Sequence, residues 1–214
     1  MRLLYRRRFD LRRVSNHQGT APMNILVVEP HADDAFLSLG AHMEKWVNEG
    51  NDVTIATIYS GTKGRGSEAA AYAKAIGADW FGLGASEVRP RQDDPPECAT
   101  ACADLRKAIA MLGSFDTICL PVGIRHPEHR AVRKHMTCCF STINVYLYME
   151  QPYSVVSTNH EELMTQIWGR GIHSYMKPHM RKWRHIPIFK SQAKFFHFNP
   201  AEDLHRTFEM LLEA

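Results

Sequence analysis

The clearest pattern in the chain is residues 24–28, a short apolar run of Ile, Leu and Val that ends in Glu29-Pro30 and gives way to helical spacing by Ala35. A run that is apolar at every position suits a strand buried on both faces, so it reads as the first strand of a parallel sheet. Phe36, Leu39, Met43, Trp46 and Val47 then recur at helical intervals, and Gly50 stands where a helix C-terminus is expected. The alternation continues with a strand over 53–59, a helix over 68–76 stopped by Gly77, and a strand over 80–83. A loop with two acidic residues over 90–96 precedes a helix over 98–112, a strand over 115–121, a helix over 129–140 and a strand over 144–149. Beyond Pro152 the pattern weakens: a helix is expected over 161–168, further strand within 186–198, and a C-terminal helix over 202–212. Repeated β-then-α units of this size predict an α/β fold, a Rossmann-like doubly wound, mainly parallel sheet with helices on both faces. No internal repeat or linker interrupts it, so one domain is expected over 23–214, preceded by an arm over 1–22.

Composition narrows the class. With 214 residues, 44% of them hydrophobic and 23% charged, the chain is long enough for one real core and is neither disordered nor fibrous in composition. No stretch approaches the ~18 apolar residues of a membrane span. Five cysteines, an odd number without a CxxC pair, suggest reduced thiols and a cytoplasmic protein. The net charge of +3 is unevenly spread: residues 1–22 hold Arg2, Arg6, Arg7, Arg8, Arg12 and Arg13 against Asp10 alone, and the remainder is slightly acidic. Such an arm suits nucleic acid, anionic lipid or a transit peptide, but is most simply a frayed extension or the result of an early start codon upstream of Met23.

Ligands of doubly wound sheets gather at the carboxyl ends of the strands, and two polar clusters fall there. Pro30-His31-Ala32-Asp33-Asp34 follows the first strand, and His126-Pro127-Glu128-His129 follows the strand ending near Pro121. Taken singly, an Asp pair at a helix start is most simply an N-cap, and a His-x-x-His at a helix entry is most simply hydrogen-bonded. Together they offer an imidazole and a carboxylate three residues apart and a further imidazole from another loop. Three protein ligands with a fourth position open to water is the layout of a catalytic metal site.

Residues 25–34, Ile-Leu-Val-Val-Glu-Pro-His-Ala-Asp-Asp, resemble the signature of the PIG-L/LmbE family of zinc-dependent de-N-acetylases, in which an apolar strand runs into P/A-H-P/A-D-D-E. His126-Pro127-Glu128-His129 is similar to that family's H-P-D-H, Arg65-Gly66-Ser67-Glu68-Ala69 to its R-x-x-E-A, and Lys190-Ser191-Gln192 to a late Ser-Gln. The resemblance implies that His31, Asp34 and His129 bind the metal, that Asp33 is the general base, and that His126 assists the tetrahedral intermediate and protonates the leaving amine. It implies Arg65 near the polar groups of the substrate, an N-acetylated amino-sugar conjugate of the N-acetylglucosamine or nucleotide-sugar type. The implied ion is Zn2+, although the same ligands accept Fe2+, Co2+ or Mn2+.

Three departures accompany the likeness. Ala35 replaces the family's Glu, Glu128 replaces the Asp of H-P-D-H, and Gly84-Ala85-Ser86-Glu87 replaces Leu-Pro-Asp-Gly, leaving Glu87 or Asp93 as candidate substitutes for the missing Asp. Arg65 also has an ordinary alternative, a surface pair with Glu68. The other histidines (His42, His135, His160, His173, His179, His185 and His197) show no metal spacing, and Cys98 and Cys102 suit buried packing. The basic, aromatic C-terminal third, with Trp168, Tyr175, Lys182, Trp183 and Phe195, suits either a sugar-stacking surface or a plain cap on the sheet. Two further classes stay open at this point. One is a nucleic-acid-associated protein using the arginine-rich arm; the other is a receiver-like signalling module, which needs an acceptor Asp at the end of a later strand.

Overall fold

Strand β1 (Asn24–Glu29) is buried on both faces: Ile25 and Val27 enter one apolar cluster while Leu26 and Val28 enter another. The period of two in a strand sends neighbours to opposite sides, so a run apolar at every position needs helices above and below. The computed structural model describes residues 21–87, 96–112, 115–137, 143–155, 160–177, 180–192 and 209–214. After β1 come α1 (Asp34–Asn48), β2 (Asp52–Thr57), α2 (Arg65–Ile76), β3 (Asp79–Gly82), α3 (Pro96–Leu112), β4 (Thr117–Pro121), α4 (Pro127–Thr137) and β5 (Asn144–Tyr148). They are followed by α5 (His160–Ile167), β6 (Ile172–Met176) and β7 (Glu209–Glu213). Helices α1 and α2 cover one face of the sheet through Phe36, Leu39, Met43, Tyr72 and Ile76. Helices α3 and α4 cover the other through Cys98, Cys102, Leu105, Val132 and Met136.

The strand order is β3-β2-β1-β4-β5-β7-β6. The first five strands in sequence run parallel, and β7 pairs antiparallel with both β5 and β6. The chain winds outward through β2 and β3, then returns to lay β4 on the other side of β1. Between the carboxyl ends of β1 and β4 the connections diverge, which is where a doubly wound sheet opens a crevice. Both histidine clusters therefore exit into the same cleft.

The expected β/α units are all present, with shifted ends. Helix α2 begins at Arg65 rather than 68, and Gly77 ends it in the left-handed region. Gly50, at φ 89°, lies just past the α1 cap residue Glu49. The expected loop over 90–96 lies almost wholly outside the described residues, as does the end of the helix expected over 129–140.

The C-terminal third differs from expectation. The final segment is strand β7, not a helix, as far as it is described. Leu211 and Leu212 join opposite core clusters, which adjacent residues achieve on a strand and not on one helix face. The described part of 186–198 forms 3-10 turns over Met180–Ile188 and Lys190–Gln192 instead of a strand. Trp183, Ile186 and Phe189 recur every three residues, the spacing that eclipses in a 3-10 helix, and all three pack on one cluster. Edge strand β6 escaped notice because most of its residues face solvent.

A buried ion pair fastens this late segment to α1. Lys182 Nζ donates to Glu209 Oε1 at 2.6 Å and to the Leu37 carbonyl at 2.7 Å, while Glu209 also accepts from the Ala41 and His42 backbone N–H groups and from His42 Nδ1. Removing one partner strands the other charge in the core. Glu209→Ala is expected to cost about 3–5 kcal/mol in urea denaturation, with the double variant Lys182→Met/Glu209→Leu recovering much of it; a loss below ~1 kcal/mol in the single variant would contradict the ion-pair assignment.

Candidate active site

Helix α1 starts directly after β1 and turns two adjacent acids in different directions. Asp33 is its N-cap residue, yet its side chain makes no capping hydrogen bond. The capping is done from the strand: Glu29 Oε2 accepts the Ala35 N–H at 3.0 Å, and Glu29 Oε1 accepts the Thr57 hydroxyl at 2.6 Å. Burial raises the Glu29 carboxyl to about 8. Ala35 thus lacks a carboxylate of its own but meets one supplied by β1, and Asp33 and Asp34 are left for the cleft.

Asp34 is buried beneath the imidazoles. Its Oδ2 lies 3.2 Å from His31 Nδ1 and 3.2 Å from His129 Nε2, and those two nitrogens are also 3.2 Å apart. The His31 backbone N–H donates to the same oxygen at 2.8 Å. A tetrahedral ion with bonds near 2.1 Å spaces its ligands by about 3.4 Å, so this triangle fits the donor set of such a site. His31, His126 and His129 also place ligand nitrogens within 4.8 Å of one another. The mixed triangle with Asp34 is the tighter of the two sets.

Outer carboxylates aim the ring nitrogens. His31 Nε2 lies 2.9 Å from Glu128 Oε2, and His129 Nδ1 lies 3.4 Å from Glu150 Oε1. Each partner assigns the proton to the outer nitrogen and turns the other lone pair inward, as metal-binding histidines require. Glu150 is itself held by the N–H groups of Gly123 and Ile124. Glu128 Oε2 also stands 3.5 Å from His126 Nδ1, so a single oxygen touches both imidazoles. Tyr59 stacks on His31 with centroids 5.4 Å apart, and Tyr153 meets His129 edge-on at the same distance.

The electrostatics favour a cation here. Desolvation opposes the imidazolium of His129, but Asp34 and then Glu150 outweigh it and raise the group to about 10. His31 is raised likewise against desolvation by Asp34 and Glu128. Desolvation works to raise Asp34, yet His129 and His31 hold it well below the usual carboxylate range. Asp33, half-buried at the mouth, is raised to about 6 by desolvation and by Asp34, against the opposing pull of Arg65 and His31. Three buried carboxylates around two imidazoles call for compensating positive charge.

Arg65 does not pair with Glu68. Its Nη1 donates to Asp33 Oδ1 at 3.1 Å and its Nε lies 2.6 Å from Glu87 Oε1. Glu68 instead accepts from the backbone N–H and hydroxyl of Ser191, tying two of the short motifs to each other. The Glu87 loop is seated closely: Gly61 donates its N–H to the Ala85 carbonyl, and a Cβ at Gly61 would collide with the Gly84 carbonyl. Asp93 lies outside the described residues.

All six residues singled out from the sequence meet in this cleft. Glu87, one of the two candidate substitutes for the missing Asp, also reaches the cleft through Arg65, whereas Glu29 and Glu150, with the positioning contacts of Glu128, Tyr59 and Tyr153, were not assigned there. An acid at the end of an apolar strand, as in Glu29 and in Glu150 just past β5, was the available signal. Other sequence expectations divide. His42 joins the Glu209 network and Ser174, His173 stacks on Tyr146, and Cys98 and Cys102 are buried with sulfurs 3.9 Å apart. Lys182 and Trp183 are core residues, whereas Trp168 and Tyr175 are exposed. His179, His197, Phe195 and the arm over 1–20 lie outside the described residues. No Asp or Glu stands at the carboxyl end of β2 or β3, so the receiver-like alternative has no acceptor. Among the described residues, no helix is long and apolar enough to cross a membrane.

Comparison with known proteins bears on the fold and the family. Solved structures with this fold include the A40926 pseudoaglycone deacetylase, 18% identical over 90% of this chain and 97% of that one, with a TM-score of 0.69. The N,N'-diacetylchitobiose deacetylase of Pyrococcus horikoshii is 16% identical over 87% of this chain and 82% of that one, with a TM-score of 0.53. The 4-carboxy-2-hydroxymuconate hydratase of Pseudomonas putida also matches, 11% identical over 89% of this chain and 95% of that one, with a TM-score of 0.54. At such identities the likeness shows the fold, and a hydratase on it is a reminder that chemistry lives in side chains. A search of the curated proteins gave no match. The family profile of GlcNAc-PI de-N-acetylases, by contrast, matches residues 26–140, from β1 through both histidine clusters and α4. This chain belongs to the PIG-L family of de-N-acetylases.

Proposed function

We propose that the protein deacetylates an N-acetylated amino-sugar conjugate, of the N-acetylglucosamine or nucleotide-sugar type, using zinc held by His31, Asp34 and His129. The observation carrying this reading is the 3.2 Å triangle of donors at the divergence of β1 and β4. Bound there, the ion would supply Lewis acidity and bring the pKa of a water down toward about 7. Iron(II), cobalt(II) and manganese(II) suit the same donors.

Asp33 is the general base. It borders the metal ligand Asp34 without sharing its imidazole contacts, and Arg65 fixes its Oδ1. It accepts the proton as water oxygen bonds to the acetamide carbon. His126 packs against both His31 and His129, with ring centroids 4.8 Å from each. With Glu128 Oε2 3.5 Å from its Nδ1, it stabilises the developing oxyanion and donates a proton to nitrogen as the C–N bond breaks, releasing acetate and a free amine.

Metal analysis coupled to acetate release from N-acetylhexosamine conjugates tests these roles. Asp33→Asn is expected to keep its metal while kcat/KM falls by about 10²–10⁴; near-normal turnover would refute the base assignment. His129→Ala is expected to lose the metal itself. The acid limb of kcat/KM is expected at or below about pH 6, because Asp33 acts ionised and a neighbouring cation lowers it further.

Metal affinity carries its own sign. In metal-free protein His129 holds a proton to about pH 10, so binding must displace it. Apparent affinity is expected to rise about tenfold per pH unit for each proton displaced as pH climbs toward that value. The stability that protonated His129 lends the metal-free protein is full below about 6.5 and is lost as pH rises through about 10. Affinity independent of pH between 6 and 8 would contradict the ligand set.

A further inference from the structure

Among the described residues, Arg65 is the guanidinium buried at the mouth of the cleft, and two of its nitrogens already face protein carboxylates. A guanidinium binds carboxylate or phosphate best through two parallel N–H groups, along either its Nε edge or its Nη end. Glu87 Oε1 sits 2.6 Å from Nε, and Asp33 Oδ1 sits 3.1 Å from Nη1. Each of the two forks thus has a protein carboxylate against at least one donor. The side chains of Arg65, Asp33 and Glu87 are only 11%, 15% and 9% exposed, so solvent screens the cluster weakly. One positive charge faces two carboxylates, so this three-residue cluster carries excess negative charge before any substrate arrives. Glu87 is also held in place: its backbone N–H donates to Thr62 Oγ1 at 3.2 Å, in the loop packed against Gly61.

We propose that Glu87 is a specificity-determining residue that closes Arg65 to anions, so that this subsite takes a neutral, hydroxyl-bearing part of the amino sugar and rejects phosphate or carboxylate. A hydroxyl donates to a carboxylate and accepts from a guanidinium N–H without displacing either partner, whereas an anion must displace Glu87 or Asp33 and meets the repulsion of the one that remains. This deepens the deacetylase reading and rests on it, and within that reading it favours neutral N-acetylglucosamine conjugates over nucleotide sugars.

The test compares acetate release from methyl N-acetyl-β-glucosaminide with release from N-acetylglucosamine 1-phosphate, N-acetylglucosamine 6-phosphate and N-acetylmuramic acid, in wild type, Glu87→Gln and Glu87→Asp. Wild type is expected to favour the neutral sugar by tenfold or more in kcat/KM. Glu87→Gln is expected to cut that preference at least tenfold for one or more of the anions, mainly through KM, with a gain that shrinks as salt is added; Glu87→Asp keeps the exclusion. Thermal-shift titration with inorganic phosphate gives a readout independent of turnover: phosphate binds Glu87→Gln at least tenfold more tightly than wild type. A wild type that uses anionic and neutral sugars equally, or a phosphate affinity that the substitution leaves unchanged, would overturn the proposal. Failure to release acetate from any of the four sugars would instead overturn the deacetylase reading, while the phosphate titration still decides the role of Glu87.

Discussion

Two imidazoles and a carboxylate occupy one small buried volume, and the rest of the cleft follows from that crowding. His31 and His129 are separated by nearly a hundred positions, yet their ring nitrogens stand 3.2 Å apart over Asp34. Such proximity is costly unless each lone pair meets a positive charge. Glu128 and Glu150 behind the rings deepen the demand while fixing which nitrogen faces inward. The topology makes the meeting possible, because β1 and β4 are neighbours whose following helices leave on opposite faces of the sheet.

Supporting contacts radiate from this point in a consistent direction. Glu29 caps α1 from the strand, which spares Asp33 from the role its position would otherwise give it. Arg65, its helical neighbour Glu68 being occupied by Ser191, reaches across to Asp33 and holds that carboxylate at the mouth. The Lys182–Glu209 pair lies on the other side of α1 and ties the last described strand to the helix that carries both aspartates. Chemistry at the cleft and order in the C-terminal third are therefore linked through one helix.

What the sequence disclosed and what it concealed divide along physical lines. Residues 25–28 were legible because burial on two faces demands an unbroken apolar run, and the β/α rhythm through Tyr148 repeats that logic. His31, Asp34, His126 and His129 were legible because strand ends in such sheets point into a shared crevice. Glu150 and Glu29 were marked only by their place at the end of an apolar strand: the partners that explain their burial, Gly123 and Ile124 for one and chiefly Thr57 for the other, are distant in sequence. The spacing of Arg65 and Glu68 on one helix suggested a pair, but tertiary partners outcompeted the local one. Leu211-Leu212 reads equally as a helix stripe or a strand with two buried faces, and only the neighbouring β5 decides between them.

The central claim is that His31, Asp34 and His129 share one cation, with His126 beside it. Crystals of metal-loaded protein measured at the absorption edge of the bound metal would locate that ion directly. The account predicts a single anomalous peak about 2.0–2.2 Å from His31 Nδ1, Asp34 Oδ2 and His129 Nε2, with His126 beyond bonding distance. A peak bonded to His126 in place of Asp34, or an ion elsewhere with these three side chains turned apart, would contradict it.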